Sequence, residues 1–255
     1  MHLMIRRALL VLVLAALPGV QTAFGEPATA APSPQIEQRA LGLLKAVTAK
    51  LGGAKTFSFR TRSAPAGTPG ADGPFASFFA DARFAVMRPD KVRAKVRGEA
   101  PPLDVFFDGR TLTVYQPTLN LYATTDEPGM LEALIPFALQ RAGVLFPLAD
   151  VLAGDPQTAI RRITRARHKG VAVVAGRQCE HAAFAAPGVE WEIWVDARNS
   201  LPCRLAGRLL EMQGAPRFAL DFFDWKLNPP LAAGSFAFAK PAGAGQLDFR
   251  ALMGQ

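Results

Sequence analysis

Histidine and cysteine are scarce in this chain of 255 residues, which has three of the first and two of the second. Cys179 and Cys203 form no Cys-x-x-Cys pair and stand in no cysteine/histidine spacing suited to zinc, so dithiol-redox and zinc chemistry lack their ligands. There is no Gly-x-Ser-x-Gly elbow, no His-Glu-x-x-His helix and no phosphate-binding glycine loop. No reaction class finds its residues here, and neither an enzyme nor a cofactor or metal is expected. Long apolar runs are missing too. Ala8 to Leu17 is uninterrupted, but Pro18-Gly19 ends it well short of the ~20 residues that a membrane-crossing helix needs.

That run has another use. Arg6 and Arg7 precede it, and Ala23-Phe24-Gly25 and Ala28-Thr29-Ala30 are small-x-small cleavage sites behind it. Residues 1–25 are read as a signal peptide, and the mature chain is expected in the periplasm. No cysteine lies near either cleavage site, so lipid attachment at a new N-terminus is excluded. Residues 26–34, rich in Ala, Pro and Ser, read as a flexible leader, and 35–255 as a single domain. The charge of +8 falls to about +6 once Arg6 and Arg7 are gone, which favours anionic partners such as a membrane surface or an envelope protein. Nucleic acid is not expected, because no DNA or RNA motif is present.

Along the mature chain, Ile36, Ala40, Leu43, Leu44, Val47 and Leu51 recur at helical spacing, so the pattern predicts a helix over 35–51 that Ser33 can cap. Strands follow at 56–61, 78–87, 91–97, 103–107, 110–115 and 119–123, with Asp108-Gly109 a strong hairpin signal. Leu131, Leu134, Ile135, Ala138 and Leu139, then Leu148, Val151 and Leu152, read as two short apolar helices, the first kinked at Pro136. A helical turn through Ile160 precedes strands at 171–174, 178–184, 189–195, 203–210 and 217–225, and Phe236 and Phe238 suggest a last short one. One apolar strand face needs a cover. The expected fold is α+β: a strongly curved antiparallel sheet with helices over its concave face.

Certain stretches resemble a family of predicted periplasmic proteins within the superfamily of LolA- and LolB-type lipoprotein carriers. They are Val105-Phe106-Phe107-Asp108-Gly109-Arg110-Thr111-Leu112-Thr113-Val114-Tyr115, Leu121-Tyr122-Ala123, residues 176–184, and residues 189–195 through Leu201-Pro202. The likeness spans roughly residues 35–241. It implies a LolA-like unclosed barrel with helices in its mouth and an apolar cavity that receives acyl chains.

On that reading Phe57, Phe59, Phe84, Trp191, Phe218 and Phe222 line an apolar cavity, with Leu131, Leu134, Ile135 and Phe137 as its lid. A dry packed core would use the same side chains. Arg161, Arg162, Arg165 and Arg167, beside His168 and Lys169, form the densest basic cluster and the candidate anionic contact. Lys91, Arg93, Lys95 and Arg97 alternate with Val92, Ala94 and Val96 and read as a solvated strand face. Cys179-Glu180-His181 reads as structural, and Glu190 and Glu192 as facing solvent. A Cys179–Cys203 disulfide suits an oxidising compartment. In a plain three-strand meander, however, the cysteines would stand about 9–10 Å apart, and only a bulge or a strand-end position would bring them within reach. The expected function is a binder or carrier of a hydrophobic ligand, such as a lipid or an acylated protein; the alternative is an envelope interaction or stress-sensing scaffold.

Overall fold

Helix α1 (Gln38–Gly52) follows from its spacing: Ala40, Leu41, Leu44, Val47, Thr48 and Leu51 bury one side, and the buried Thr48 hydroxyl donates back to the Leu44 carbonyl. Its start differs from expectation. The N-cap is Glu37, without a side-chain cap bond, because residues 35–37 are extended and bridge to Ala166 of the sheet. The Glu37 carboxylate accepts from the His168 N–H at 2.8 Å instead. The structure is a computed structural model and describes residues 35–63, 80–99, 101–126, 156–211, 214–215 and 217–248. The export segment, the leader with Ser33, and the helices expected at 130–152 lie outside the described residues.

Twelve strands form one sheet among the described residues. They are β1 (Thr56–Ser63), β2 (Ala80–Met87), β3 (Lys91–Gly98), β4 (Leu103–Phe107), β5 (Thr111–Gln116), β6 (Leu121–Asp126), β7 (Arg165–Val174), β8 (Arg177–Ala186), β9 (Val189–Asp196), β10 (Pro202–Leu209), β11 (Arg217–Leu227) and β12 (Gly245–Leu247). Their order is β12-β6-β5-β4-β3-β2-β1-β11-β10-β9-β8-β7. Two antiparallel meanders, β1–β6 and β7–β11, are joined by the pairing of β1 with β11. The ends, β12 and β7, do not pair, so the barrel is unclosed. A second helix, α2 (Pro156–Arg161), packs on α1.

The core shows that the sheet curls. Val92, Phe107 and Leu112 of β3–β5 share one buried cluster with α1 and with Ala182, Phe184, Ile193, Leu205 and Phe222 of β8–β11. Laid flat, β5 and β8 would be nearly 40 Å apart at ~4.8 Å per strand, whereas a helix is only about 10–12 Å across. The concave face therefore wraps α1.

The C-terminal segment corrects another expectation. Phe236 lies in a 3-10 turn (Ala233–Phe236), not a strand, and the last strand among the described residues is β12, parallel to β6. Phe238 instead packs on Phe106, Tyr115 and Tyr122 with ring centroids 5.0–5.6 Å apart. These rings are on the convex face, so the segment straps the outside of β4–β6.

Candidate functional site

Alternation sorts the sheet into two chemistries. Phe57, Phe59 and Thr61 face inward, and so do their cross-strand partners Val86, Phe84 and Ala82. Phe59 is the centre of the aromatic group, 4.9 Å from Phe84, 5.8 Å from Phe222 and 4.4 Å from Trp225. Phe57 joins at 6.3 Å. Four of the six residues expected to line a cavity therefore come together. The other two form a second group at the far end of the concave face, where Trp191 stacks on Phe184 at 4.4 Å and Phe218 lies across Gly207. Gly207 is required there: a Cβ would come within 2.6 Å of the Phe218 ring and 2.8 Å of the Glu190 carbonyl. The expected lid residues Leu131, Leu134, Ile135 and Phe137 lie outside the described residues.

Trp225 was not among the expected lining residues, because strict period-two counting places it with Phe223 on the outer face. Between Arg60↔Phe223 and Ser58↔Lys226, β11 has one residue more than β1. Asp224, at φ 54°, takes up this bulge, which turns Trp225 inward. Its indole N–H donates to the Pro202 carbonyl at 2.9 Å, so the buried donor is satisfied.

A bulge also decides the cysteines. Cys203 is the extra residue between Pro202↔Val195 and Arg204↔Trp194. The meander β8-β9-β10 stands as expected, yet the Cα atoms are 6.8 Å apart, not 9–10 Å, and the disulfide is formed. It lies on the convex face with Val174 and Trp194. The neighbouring Glu180 serves structure: it is bonded by His168 and Arg39, and the His168 hydrogen bond, more than Arg39, holds its carboxyl below the usual range against the effect of burial. His181 pairs with Glu192 at 2.9 Å and stacks on Trp194.

The convex face is charged in register. Arg204, Asp221, Arg62, Asp81 and Arg97 are consecutive partners across β10, β11, β1, β2 and β3, alternating in sign. Arg204 pairs with Asp221, whose hydrogen bond raises the arginine's pKa, and Arg62 pairs with Asp81 at 3.0 Å. On β3, Arg97 meets Asp104 at 2.7 Å and Arg93 lies over Phe106, so the solvated face expected there is also bonded.

The basic cluster is divided. Arg161 and Arg162 are exposed at the end of α2, whereas Arg165 and Arg167 belong to β7, which starts six residues before the expected strand. Two cross-strand rows meet there: Arg165, Ala185, Glu190, Arg208, Arg217 and Arg167, Ala183, Glu192, Ala206, Ala219. They line an open depression of about 710 Å³ on the outer face, floored by alanines and rimmed by arginines. Glu190 takes Arg208 at 2.8 Å and Arg165 at 2.9 Å. These guanidiniums, Arg208 first, hold its carboxyl below the usual range. Sequence reasoning missed Arg208 and Arg217, because only the successive pairings from β7 through β11 place them in one row with Arg165.

No curated protein matches the chain. Among solved structures it is similar to an uncharacterized conserved protein from Thermus thermophilus (11% identity, covering 83% of this chain and 99% of that one, TM-score 0.48). It is also similar to the lipoprotein LppX of Mycobacterium tuberculosis (16%, 77% and 99%, TM-score 0.44). A third is a LolA superfamily protein from Nitrosomonas europaea (11%, 78% and 97%, TM-score 0.35). Among the described residues no helix is long and apolar enough to cross a membrane. The model of one family, DUF2092, described as a predicted periplasmic protein, matches residues 40–250, and the chain belongs to that family.

Proposed function

We propose that this periplasmic chain binds or carries an apolar ligand, a lipid or the acyl chains of an acylated protein, against the concave face of its sheet. Phe57, Phe59, Phe84, Trp191, Phe218 and Phe222 are its contact surface, and Leu131, Leu134, Ile135 and Phe137 its lid. The extent of the apolar face supports this most. Helix α1 has 15 residues, about 22 Å of length, while twelve strands at ~4.8 Å spread over roughly 50 Å. Ala94, Val114 and Ala123 are buried on the concave face but stand outside the cluster that α1 anchors. An acyl chain gains about 0.8 kcal/mol per buried methylene, so affinity needs apolar area and no catalytic group.

A second reading, an envelope interaction scaffold without lipid cargo, has the outer depression in its favour. Arg165, Arg167, Arg208 and Arg217 outnumber Glu190 and Glu192 around it, which suits an anionic partner. One measurement separates the two. The protein is purified from a periplasmic fraction without detergent, examined by native mass spectrometry and extracted for lipid. Stoichiometric lipid is the expected result. A reproducibly empty protein that retains an envelope protein in pull-downs overturns the carrier in favour of the scaffold.

A further inference from the structure

The row Arg165, Ala185, Glu190, Arg208, Arg217 crosses five neighbouring strands of the convex face. Glu190 divides its two oxygens within it, Oε1 accepting from Arg165 and Oε2 from Arg208. The next position repeats the sign. Arg217 stands directly opposite Arg208, a like-charge pair that costs stability on a sheet, and among the described residues no carboxylate reaches it. The other charges around the depression are already met, since Arg167 is 3.5 Å from Glu37 and Glu192 is bonded to His181 at 2.9 Å. One anion is therefore missing from the row, beside Arg217, and both guanidiniums keep N–H donors for it.

The floor says what kind of molecule supplies it. Ala183, Ala185, Ala206 and Gly207 belong to β8 and β10, strands paired on both sides, so their peptide groups are spent in the ladders. A peptide laid on this floor would press its own amides against methyl groups that cannot bond them. An amphiphile has no such amides to satisfy. The volume of about 710 Å³ is that of a drug-sized group rather than one phosphate ion, and exposed Arg162 lies three residues from Arg165, so positive charge extends past the rim. We propose that the depression is a membrane-docking site that takes the phosphate of an anionic phospholipid headgroup between Arg208 and Arg217. It rests on the outer depression of the scaffold reading, with a lipid surface in place of a protein partner, and it needs no cargo on the concave face.

The test is sedimentation of the mature protein, disulfide intact, with phosphatidylcholine vesicles that contain or lack phosphatidylglycerol. Binding is expected with phosphatidylglycerol only. Arg217→Ala should weaken it about fivefold, the usual worth of one basic residue at an anionic surface, and Arg217→Glu further, because it supplies the missing carboxylate from within. Both variants should melt no lower than wild type, having lost a like-charge pair. Arg83→Ala is the control. Arg83 is exposed on the same face, but its row meets β11 at Phe223, six residues from Arg217. That is about 20 Å along the strand, beyond a Debye length of about 8 Å, so binding should not change. Equal losses in Arg83→Ala and Arg217→Ala would reduce the attraction to net charge and overturn the site. A protein that ignores phosphatidylglycerol overturns it too, while lipid co-purified with that protein would leave the carrier reading standing. Inorganic phosphate that binds in calorimetry as tightly as the vesicles overturns the lipid in favour of a free anion. Polyglutamate retained by wild type but not by Arg217→Ala, without vesicle binding, overturns it in favour of an acidic protein.

Discussion

Reducing the Cys179–Cys203 bond is the cleanest perturbation of the second meander. The bond closes a loop of 24 residues over the whole of β9. In the chain-entropy account, a loop of that length restrains the unfolded chain by about 3 kcal/mol at 25 °C. Both sulfurs are buried against Val174 and Trp194, and reduction without substitution leaves that packing almost unchanged. The effect should thus appear mainly in the denatured state. Urea unfolding with and without reductant is expected to show a loss of about 3 kcal/mol, together with a steeper denaturant dependence as the unfolded chain expands. For a domain of this size that corresponds to a melting point lower by roughly 6–12 °C. The variant C179A/C203A should fall slightly below reduced wild type, because it also loses sulfur packing, and reductant should not affect it. A reduced protein that keeps its midpoint and slope would refute the reasoning, for the bulge at Cys203 would then be holding the strands without help from the bond.

Two further outcomes follow from the same geometry. Gly207→Ala should destabilise the fold by about 1–3 kcal/mol in urea titration, because the new Cβ meets the Phe218 ring and the fixed Glu190 carbonyl; unchanged stability would mean that this end of the concave face is loosely packed. Glu180 has a folded pKa below its unfolded value, so it contributes stability at neutral pH that is lost as pH falls through its folded pKa. Glu180→Gln is expected to melt lower than wild type at pH 7 and to converge with it as pH falls below the ordinary carboxylate range; a difference that stays constant on acidification would contradict the assignment.

The elements that local sequence describes were legible in it. Thr56–Ser63 alternates around Phe57 and Phe59, and Asp108-Gly109 turns β4 into β5, with Asp108 accepting from the N–H groups of Arg110 and Thr111 as a turn residue should. Long-range register was not legible. Two single-residue bulges, at Cys203 and at Asp224, each reverse what strict alternation implies: one joins the cysteines and the other turns Trp225 inward. The ladder Arg204-Asp221-Arg62-Asp81-Arg97 and the depression under Arg165, Arg208 and Arg217 assemble residues from strands far apart in sequence, and no window along the chain contains them. The three-residue strand β12 depends on its parallel neighbour β6 and carries no alternation of its own.

The junction of β1 with β11 has a kinetic consequence. Hairpins within β1–β6 and β7–β11 form from neighbouring residues, but Arg60 reaches Asp224 over 164 positions of chain. Contact order this high slows folding, since loop closure must precede the contacts that reward it. The seam between the meanders is therefore the step that waits for most of the polypeptide to be synthesised. Until it closes, β1 and β11 each expose an unpaired edge.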